Sequence, residues 1–409
     1  MSQNLQALET ESKKLHEIPT SNPPYQALYL HIPFCAARCS YCDFVTEAIT
    51  TDSAAIDRYL DDLLADVREA FDQGLLNDLK TVYVGGGTPS HLGQDRILFL
   101  LQELRGYLKD AKIKEFTLEA NPDSLVKLDL PALKKLGLTR ISLGVQSFDD
   151  LELEILGRIH DAREALEAIY QIQASGLDLS IDLICGIPGQ SLDSWLNSLQ
   201  QVEELMLDHI SIYPLSLEEL TPLAVQLEEG ADEFLELPDD DEQAADMLLS
   251  ESFLGRIGLK RYEISSYSRP GHESKHNMIY WTGQPYLGLG KGAVSMAMLD
   301  ACNLTGEVKN GLSSLSQPVR IRFQEREIVD ELDSEEAAAE DLMMRMRLAD
   351  GISEEELRHL SSKLPKARQS LDKLVKEGLL EYQHKRYRPT QRGWLMGNCI
   401  FETIWDLVS

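Results

Sequence analysis

Six short apolar segments alternate with helix-like segments in the first half of the chain, and this alternation constrains the fold most strongly. The predicted strands are 28–32, 81–85, 115–119, 140–145, 179–184 and 209–213. Apolar residues recur at helical spacing between them, as in 56–71, 97–108 and 163–175. Strand–helix–strand repeats of this kind predict an α/β fold with a parallel sheet and right-handed crossovers.

The two faces of these strands differ in character. In 28–32, the leucines and the isoleucine share one face, and Tyr29 and His31 share the other. In 115–119, Thr117 and Glu119 lie on one face. An ordinary doubly wound sheet is apolar on both faces. One polar face instead predicts a partial (β/α)6 TIM-like barrel around a polar ligand, with chemistry at the carboxyl ends of its strands.

The rest of the chain divides less sharply. We predict a disordered polar tail over 1–24, a barrel core with a following extension over 25–305, and a C-terminal helical domain with a β-hairpin over 306–409. Further strand-like pieces lie at 259–265 and 286–294, and the chain reads as helical and charged from about residue 320. Helices followed by a hairpin suggest a winged-helix-like module.

Charge and hydropathy narrow the class of protein. The 409 residues carry a formal net charge of −29, which repels phosphate backbones and argues against nucleic acid as a partner. No run approaches the roughly 20 apolar residues of a membrane helix. The N-terminal segment lacks the apolar centre of a signal peptide. We therefore expect a cytoplasmic protein with no integral membrane segment.

Three of the six cysteines, Cys35, Cys39 and Cys42, lie within eight residues directly after the first strand. Thiolates are the usual ligands of iron–sulfur clusters, commonly four of them, so three leave one iron open to a small-molecule chelator. Such a site gives access to radical chemistry that side chains alone do not perform. A structural zinc site is the alternative, but it needs a fourth ligand, for which His31 is near in sequence.

The remaining cysteines show no ligand spacing. Cys185, Cys302 and Cys399 are scattered along the chain, so we interpret them as lone buried thiols.

The segment from Tyr29 to Phe44, YLHIPFC-x3-C-x2-CDF, resembles the radical-SAM superfamily. Within it, the segment resembles the branch of oxygen-independent coproporphyrinogen III dehydrogenases and HemW-type heme chaperones, and the resemblance covers nearly all of the chain after residue 24. It implies a [4Fe–4S] cluster on Cys35, Cys39 and Cys42, with S-adenosylmethionine (SAM) bound at the open iron.

The resemblance also implies which residues bind SAM. Three consecutive glycines before Thr88 permit close backbone approach to a ligand, although alone they equally suggest a flexible turn. A polar-face carboxylate at Glu119 is satisfied by a ribose diol or an ammonium group. Arg158 has the geometry to clamp a carboxylate. The implied set is Tyr29, Tyr41, Gly86, Gly87, Thr88, Glu119, Gln146, Arg158 and Asp182.

A last motif, from His276 to Trp281 (HNMIYW), resembles one associated with heme binding in the HemW-type group. Histidine ligates heme iron, and aromatic side chains cover a porphyrin face. Taken alone, a histidine beside a Tyr-Trp pair indicates ordinary packing. The resemblance makes His276 a candidate heme-binding residue.

Two departures separate this chain from the dehydrogenases. Phe44 stands where they carry a further cysteine, and only 34 residues precede Cys35. In both departures the chain resembles the HemW-type proteins. The resemblance implies a chaperone that binds heme or a porphyrin and delivers heme to apo-proteins, with an electron donor for its cluster. The alternatives are radical decarboxylation of coproporphyrinogen III and a metal-stabilised binding module without redox chemistry.

Overall fold

A twelve-stranded sheet is the central feature of the molecule. The computed structural model describes residues 15, 17–230, 236–299 and 319–408. The strands of the described residues are β1 (Ala27–Ile32), β2 (Phe34–Cys35), β3 (Glu47–Ala48), β4 (Thr81–Gly86), β5 (Glu115–Ala120), β6 (Arg140–Gln146), β7 (Asp178–Cys185), β8 (His209–Pro214), β9 (Lys260–Arg261), β10 (Ser266–Ser268), β11 (Tyr286–Leu289), β12 (Val294–Met298), β13 (Arg320–Gln324), β14 (Glu327–Leu332), β15 (Ile352–Ser353), β16 (Leu380–Gln383) and β17 (Arg386–Pro389).

Helices connect and cover these strands. In the same residues they are α1 (Ala54–Asp72), α2 (Gln94–Tyr107), α3 (Pro122–Leu125), α4 (Leu130–Lys135), α5 (Asp150–Ile155), α6 (Ala162–Ser175), α7 (Leu192–Glu204), α8 (Pro222–Glu228), α9 (Asp240–Arg256), α10 (Lys275–Trp281), α11 (Ser334–Arg345), α12 (Glu354–Leu360), α13 (Ala367–Lys376), α14 (Gln391–Leu395) and α15 (Gly397–Trp405). A 3-10 turn spans Pro89–Leu92.

The six predicted strands lie side by side in chain order as β1, β4, β5, β6, β7 and β8, and neighbouring strands are parallel. The predicted partial (β/α)6 barrel is therefore confirmed. β11 extends the parallel set beside β1, and β12, β13 and β14 follow it antiparallel. β10 and β9 complete the other side, so the sheet begins at β14 and ends at β9.

Local sequence explains the helices that back the sheet. In α1, Ile56, Leu60 and Leu64 recur at helical spacing and are buried against the core. Ser53 caps the N-terminus of this helix, because its side chain accepts a hydrogen bond from the Ala55 amide. α6 begins at a capping box, in which Asp161 and Glu164 each bond the other's backbone amide.

The strand faces have the predicted character. Leu28, Leu30 and Ile32 are buried in the apolar core between the sheet and its helices. Tyr29 and His31 point to the opposite face, where their side chains contact each other. Since parallel strands present their carboxyl ends at one edge, the polar residues there are brought together.

Part of the expected disordered tail packs on the core, which corrects that prediction for residues 17–24. Ile18 is buried, and the Asn22 amide donates to the Met298 carbonyl at 2.9 Å. The Tyr25 hydroxyl donates to the Pro19 carbonyl. Residues 1–24 are mostly polar, so the sequence reasoning gave too little weight to the few apolar residues that pack the second half of this segment against the core.

The expectation of helix from about residue 320 is also wrong at its start. Residues 320–332 form the β13–β14 hairpin of the large sheet. Ile321 and Phe323 alternate with Arg320 and Arg322, and the arginines pair with carboxylates of neighbouring elements. The predicted boundary between 305 and 306 lies outside the described residues.

The C-terminal helices enclose an apolar core of their own, which includes Leu342, Leu371, Leu380 and Ile404. β15, β17 and β16 form a small antiparallel sheet beside them, consistent with the winged-helix-like prediction. Arg320 connects this unit to the large sheet through an ion pair with Asp341 at 2.7 Å. None of the helices among the described residues is long and apolar enough to cross a bilayer.

Two of the three cysteines predicted as buried thiols lie within the described residues, and their environments differ. Cys185 is buried, as predicted. Cys399 is exposed on α15, which corrects that prediction: the first turn of this short helix faces solvent. Cys302 lies outside the described residues.

Candidate functional site

A pocket of about 420 Å³ opens at the carboxyl ends of β4 to β8. The strands contribute Gly86, Glu119, Gln146, Asp182 and Tyr213 in turn. All three loop cysteines also line it. Of the nine residues implied to bind SAM, eight lie here: Tyr41, Gly86, Gly87, Thr88, Glu119, Gln146, Arg158 and Asp182.

The cysteine loop is held at the rim of this pocket by specific contacts. Ser40 donates its backbone amide to the Leu156 carbonyl at 3.1 Å and its hydroxyl to the Ile155 carbonyl at 2.8 Å. Gly87 passes so close to Cys35 that a Cβ there would lie 2.9 Å from the sulfur. Glycine is therefore required at this position for the loop to reach the pocket.

Two of the three thiols receive polar donors. Thr88 Oγ1 lies 3.4 Å from Cys35 Sγ, and Arg158 Nη1 lies 3.3 Å from Cys39 Sγ. Burial raises the pKa of the Cys35 and Cys42 thiols. Donors directed at sulfur suit metal-bound thiolates, because outer hydrogen bonds orient such ligands and stabilise their charge. The donor set therefore fits an iron–sulfur cluster.

A zinc site that includes His31 fits the geometry less well. His31 Nδ1 lies 2.9 Å from the Tyr29 hydroxyl, and Nε2 lies 3.1 Å from the Val45 carbonyl oxygen. Both ring nitrogens are therefore engaged away from the thiols. Across residues 15, 17–230, 236–299 and 319–408, no three His, Cys, Asp or Glu side chains are arranged to hold a single metal ion.

Two carboxyl groups line the pocket floor. Glu119 accepts hydrogen bonds from the Tyr83 hydroxyl at 2.6 Å and the Gly86 amide at 2.9 Å. Burial raises the pKa of Glu119 to about 7 and that of Asp182 to about 6. Because burial disfavours their charged forms, a ligand that brings hydroxyls or positive charge would stabilise both carboxylates.

Asn121 is a pocket residue that the sequence reasoning passed over. Its Nδ2 donates to Thr88 Oγ1 at 3.1 Å, and its Oδ1 accepts from Arg158 Nη2 at 2.7 Å. It follows β5 directly, at the edge where the carboxyl ends of parallel strands meet. The position of Asn121 directly after a strand was therefore the sequence signal that could have identified it as a pocket residue.

Gln146 adopts an unusual backbone conformation. Its φ is +70°, the left-handed region that costs a non-glycine residue roughly 1 kcal/mol. The register with β7 shifts here between Gly144 and Gln146. A Cβ on Gly144 would lie 2.9 Å from Gln146 Nε2, so glycine leaves room for the amide at the pocket. Backbone strain of this kind is typical of ligand-binding positions.

Comparison with known proteins identifies the family. The model of the radical SAM superfamily matches residues 29–202, and the model of the HemN C-terminal domain matches residues 332–396. The heme chaperone HemW of Bacillus subtilis (strain 168) is 31% identical over 383 residues, which cover 92% of this chain and 98% of that protein. The chain belongs to the HemW family of radical SAM proteins.

Two further HemW relatives support the same family assignment. The heme chaperone HemW of Mycobacterium tuberculosis (strain H37Rv) is 32% identical over 394 residues, covering 94% of this chain and 96% of that protein. The Escherichia coli (strain K12) heme chaperone HemW is 37% identical over 273 residues, covering 66% and 70%. Membership in this radical SAM family supports a [4Fe–4S] cluster and SAM as cofactors.

A solved structure shows the same fold. Coproporphyrinogen III oxidase (HemN) from Escherichia coli, a radical SAM enzyme, superposes with a TM-score of 0.71 at 22% sequence identity. The match covers 93% of this chain and 90% of that one. The HemW-family chain therefore has the HemN fold in both its barrel and its C-terminal unit.

Two predicted residues of this HemW-family chain lie outside the pocket. Tyr29 lines a neighbouring groove instead. His276 is 1% exposed, with Nδ1 2.8 Å from Thr81 Oγ1 and Nε2 2.7 Å from the Tyr280 hydroxyl. Both ring nitrogens of His276 are therefore engaged inside the core. In this structure His276 is a packing residue, and its role in heme binding stays a prediction.

Proposed function

We propose that this HemW-family protein is a heme chaperone, which binds heme and passes it to heme-accepting apo-proteins. The observation that carries the proposal is the extent of the likeness to the heme chaperone HemW of Bacillus subtilis, 98% of whose length is covered. A shared barrel alone would support only a radical SAM protein. Similarity across both units supports the same role.

The pocket residues then have separable roles. Cys35, Cys39 and Cys42 would hold the cluster, which would supply an open iron for SAM and a source of single electrons. Glu119 would accept hydrogen bonds from the ribose hydroxyls of SAM. The guanidinium of Arg158 places positive charge beside the Cys39 thiolate. The residues assigned to SAM are Tyr41, Gly86, Gly87, Thr88, Glu119, Gln146, Arg158 and Asp182.

Phe44 supports the chaperone over the dehydrogenase. It occupies the position after Cys42-Asp43 where the dehydrogenases carry a further cysteine. Its side chain is 67% exposed and lines the pocket mouth. An aromatic surface at the mouth suits the binding of a flat apolar molecule.

The test uses full-length protein reconstituted anaerobically with iron and sulfide. We expect about four irons per chain, as for a [4Fe–4S] cluster, and a change in the cluster spectrum on addition of SAM. Titration with hemin should saturate at one heme per chain, and the loaded protein should transfer heme to apo-myoglobin. Cys35→Ser should lose the cluster, whereas the matched control Cys399→Ser, exposed on α15, should keep it.

The outcomes separate the candidate functions. Absence of heme binding by the reconstituted protein would contradict the chaperone. Formation of protoporphyrinogen from coproporphyrinogen III, with SAM and a reductant, would instead favour the dehydrogenase.

We also infer a cytoplasmic location and a one-electron donor for the cluster. Ala36, Ala37 and Arg38 are exposed between the first two cysteines, which places the cluster loop within reach of a donor protein. Fractionation of the native host and reduction of the cluster by its flavodoxin or ferredoxin test these two points.

A further inference from the structure

A second groove, of about 370 Å³, lies beside the SAM pocket and shares Phe44 with it. Its walls are formed by Tyr29 and His31 of β1, Phe44 and Val45 of the cysteine loop, Tyr280 of α10 and the segment 292–294. Aromatic rings therefore come from three separate parts of the chain. Nothing in the assignment of the cluster or of SAM uses this groove.

The groove presents apolar surface that the fold leaves open. Phe44 is 67% exposed and Val45 is 49% exposed. A Cβ on Gly292 would lie 3.3 Å from Val45 Cγ2, so the two loops meet across the groove. Exposed aromatic and aliphatic side chains around a concave surface mark a site for an apolar ligand.

Charge at the rim adds a requirement on the ligand. Lys291 is exposed between Gly290 and Gly292, directly before the groove wall. In a chain of net charge −29, a cation beside an apolar groove favours a ligand with an apolar body and an anionic group. A porphyrin with propionate side chains has this combination.

We propose that this groove is the heme site, with Phe44 and Val45 against the porphyrin and Lys291 beside a propionate. The proposal rests on the chaperone function and adds to it the location of the heme. It also explains the position of the HNMIYW motif, since Tyr280, and not His276, reaches the groove.

The experiment titrates the reconstituted full-length protein with hemin, followed at the Soret band without SAM. Phe44→Ala and Lys291→Glu should each weaken heme binding about tenfold, the effect of one buried aromatic contact or one charge contact. Both side chains are exposed, so the fold should tolerate the changes. Phe99→Ala and Lys260→Glu, matched exposed positions away from the groove, should bind heme like the parent.

The possible failures are distinguishable. If the parent binds no heme, the chaperone function itself fails. If the parent binds one heme and both Phe44→Ala and Lys291→Glu bind it equally well, the groove assignment is overturned while the function stands.

Discussion

Asn121 accepts a hydrogen bond from Arg158 through its side-chain oxygen, over 2.7 Å. The nitrogen of the same amide donates to Thr88 at 3.1 Å. Thr88 in turn lies 3.4 Å from the Cys35 sulfur, and Arg158 lies 3.3 Å from the Cys39 sulfur. A single amide thus orients the donors to two of the three cluster thiols.

We expect Asn121→Ala to shift the midpoint potential of the cluster to more negative values. Hydrogen bonds to thiolate sulfur stabilise the more negative, reduced cluster, and this variant leaves both donors unheld. A redox titration of the reconstituted protein, followed by electron paramagnetic resonance, measures the shift. Asn197→Ala, exposed on α7, is the control. An unchanged midpoint at full iron content would show that Asn121 does not orient the donors.

The buried Glu119 predicts a pH dependence of stability in the ligand-free protein. Burial raises the pKa of Glu119 from 4.5 to about 7. Between these pH values the folded protein retains a proton that the unfolded chain has lost, so the free energy of unfolding falls as pH rises through this window. Glu119→Gln should reduce the fall by roughly 1–3 kcal/mol, since solvent in the pocket screens part of the effect.

Urea unfolding at pH 5 and at pH 8 measures this difference. The comparison uses the change between the two pH values, because glutamine also loses the bond from the Gly86 amide at either pH. Glu152→Gln is a poor control, since Glu152 accepts hydrogen bonds from the Ser147 and Ser194 hydroxyls. Exposed Glu203→Gln is the better one. Equal slopes for parent and Glu119→Gln would contradict the prediction.

The barrel and most of its pocket could be predicted because alternation along a strand determines both faces at once. Glu119 and Asp182 lie on the polar face of β5 and β7, and parallel pairing brings their strand ends to one edge. The residues at the strand ends could therefore be predicted as pocket residues from the sequence. Cys35, Cys39 and Cys42 could be predicted as cluster ligands because thiolates are the usual ligands of iron–sulfur clusters.

The differences between expectation and structure share a physical cause, which is that long-range partners cannot be read from the sequence. Arg320 and Arg322 suggested a charged helix, yet their partners Glu340 and Asp341 are supplied by α11. His276 has the chemistry of an iron ligand, but Thr81 of β4, 195 residues away, takes one of its nitrogens. Residue type indicated which interactions each side chain is able to form, and tertiary contacts determined which of them it forms.

His276→Ala should destabilise the protein by roughly 1–3 kcal/mol, because Thr81 and Tyr280 each lose a buried hydrogen-bond partner. Heme affinity should change far less than in Lys291→Glu. Thermal unfolding and hemin titration of the same samples measure both effects. His359→Ala, exposed on α12, provides the control. Loss of heme binding without loss of stability would return His276 to the heme site.

The last prediction concerns how the C-terminal helices attach to the barrel. The guanidinium of Arg347 lies 5.4 Å from the ring centre of Trp281 in α10 and 4.8 Å from that of Phe401 in α15. A cation between two aromatic rings stabilises the contact between the elements that carry them. Trp281, the last residue of the HNMIYW motif, is thus a docking point for the C-terminal unit.

Arg347→Met keeps much of the apolar stem and removes the charge, so we expect a loss of roughly 1–2 kcal/mol in the free energy of unfolding. Cleavage by thermolysin between the two units should accelerate, since weaker docking exposes the connection more often. Arg163→Met removes an arginine that is mostly exposed and should change neither measurement appreciably. Equal cleavage rates for Arg347→Met and the parent would show that Arg347 does not hold the two units together.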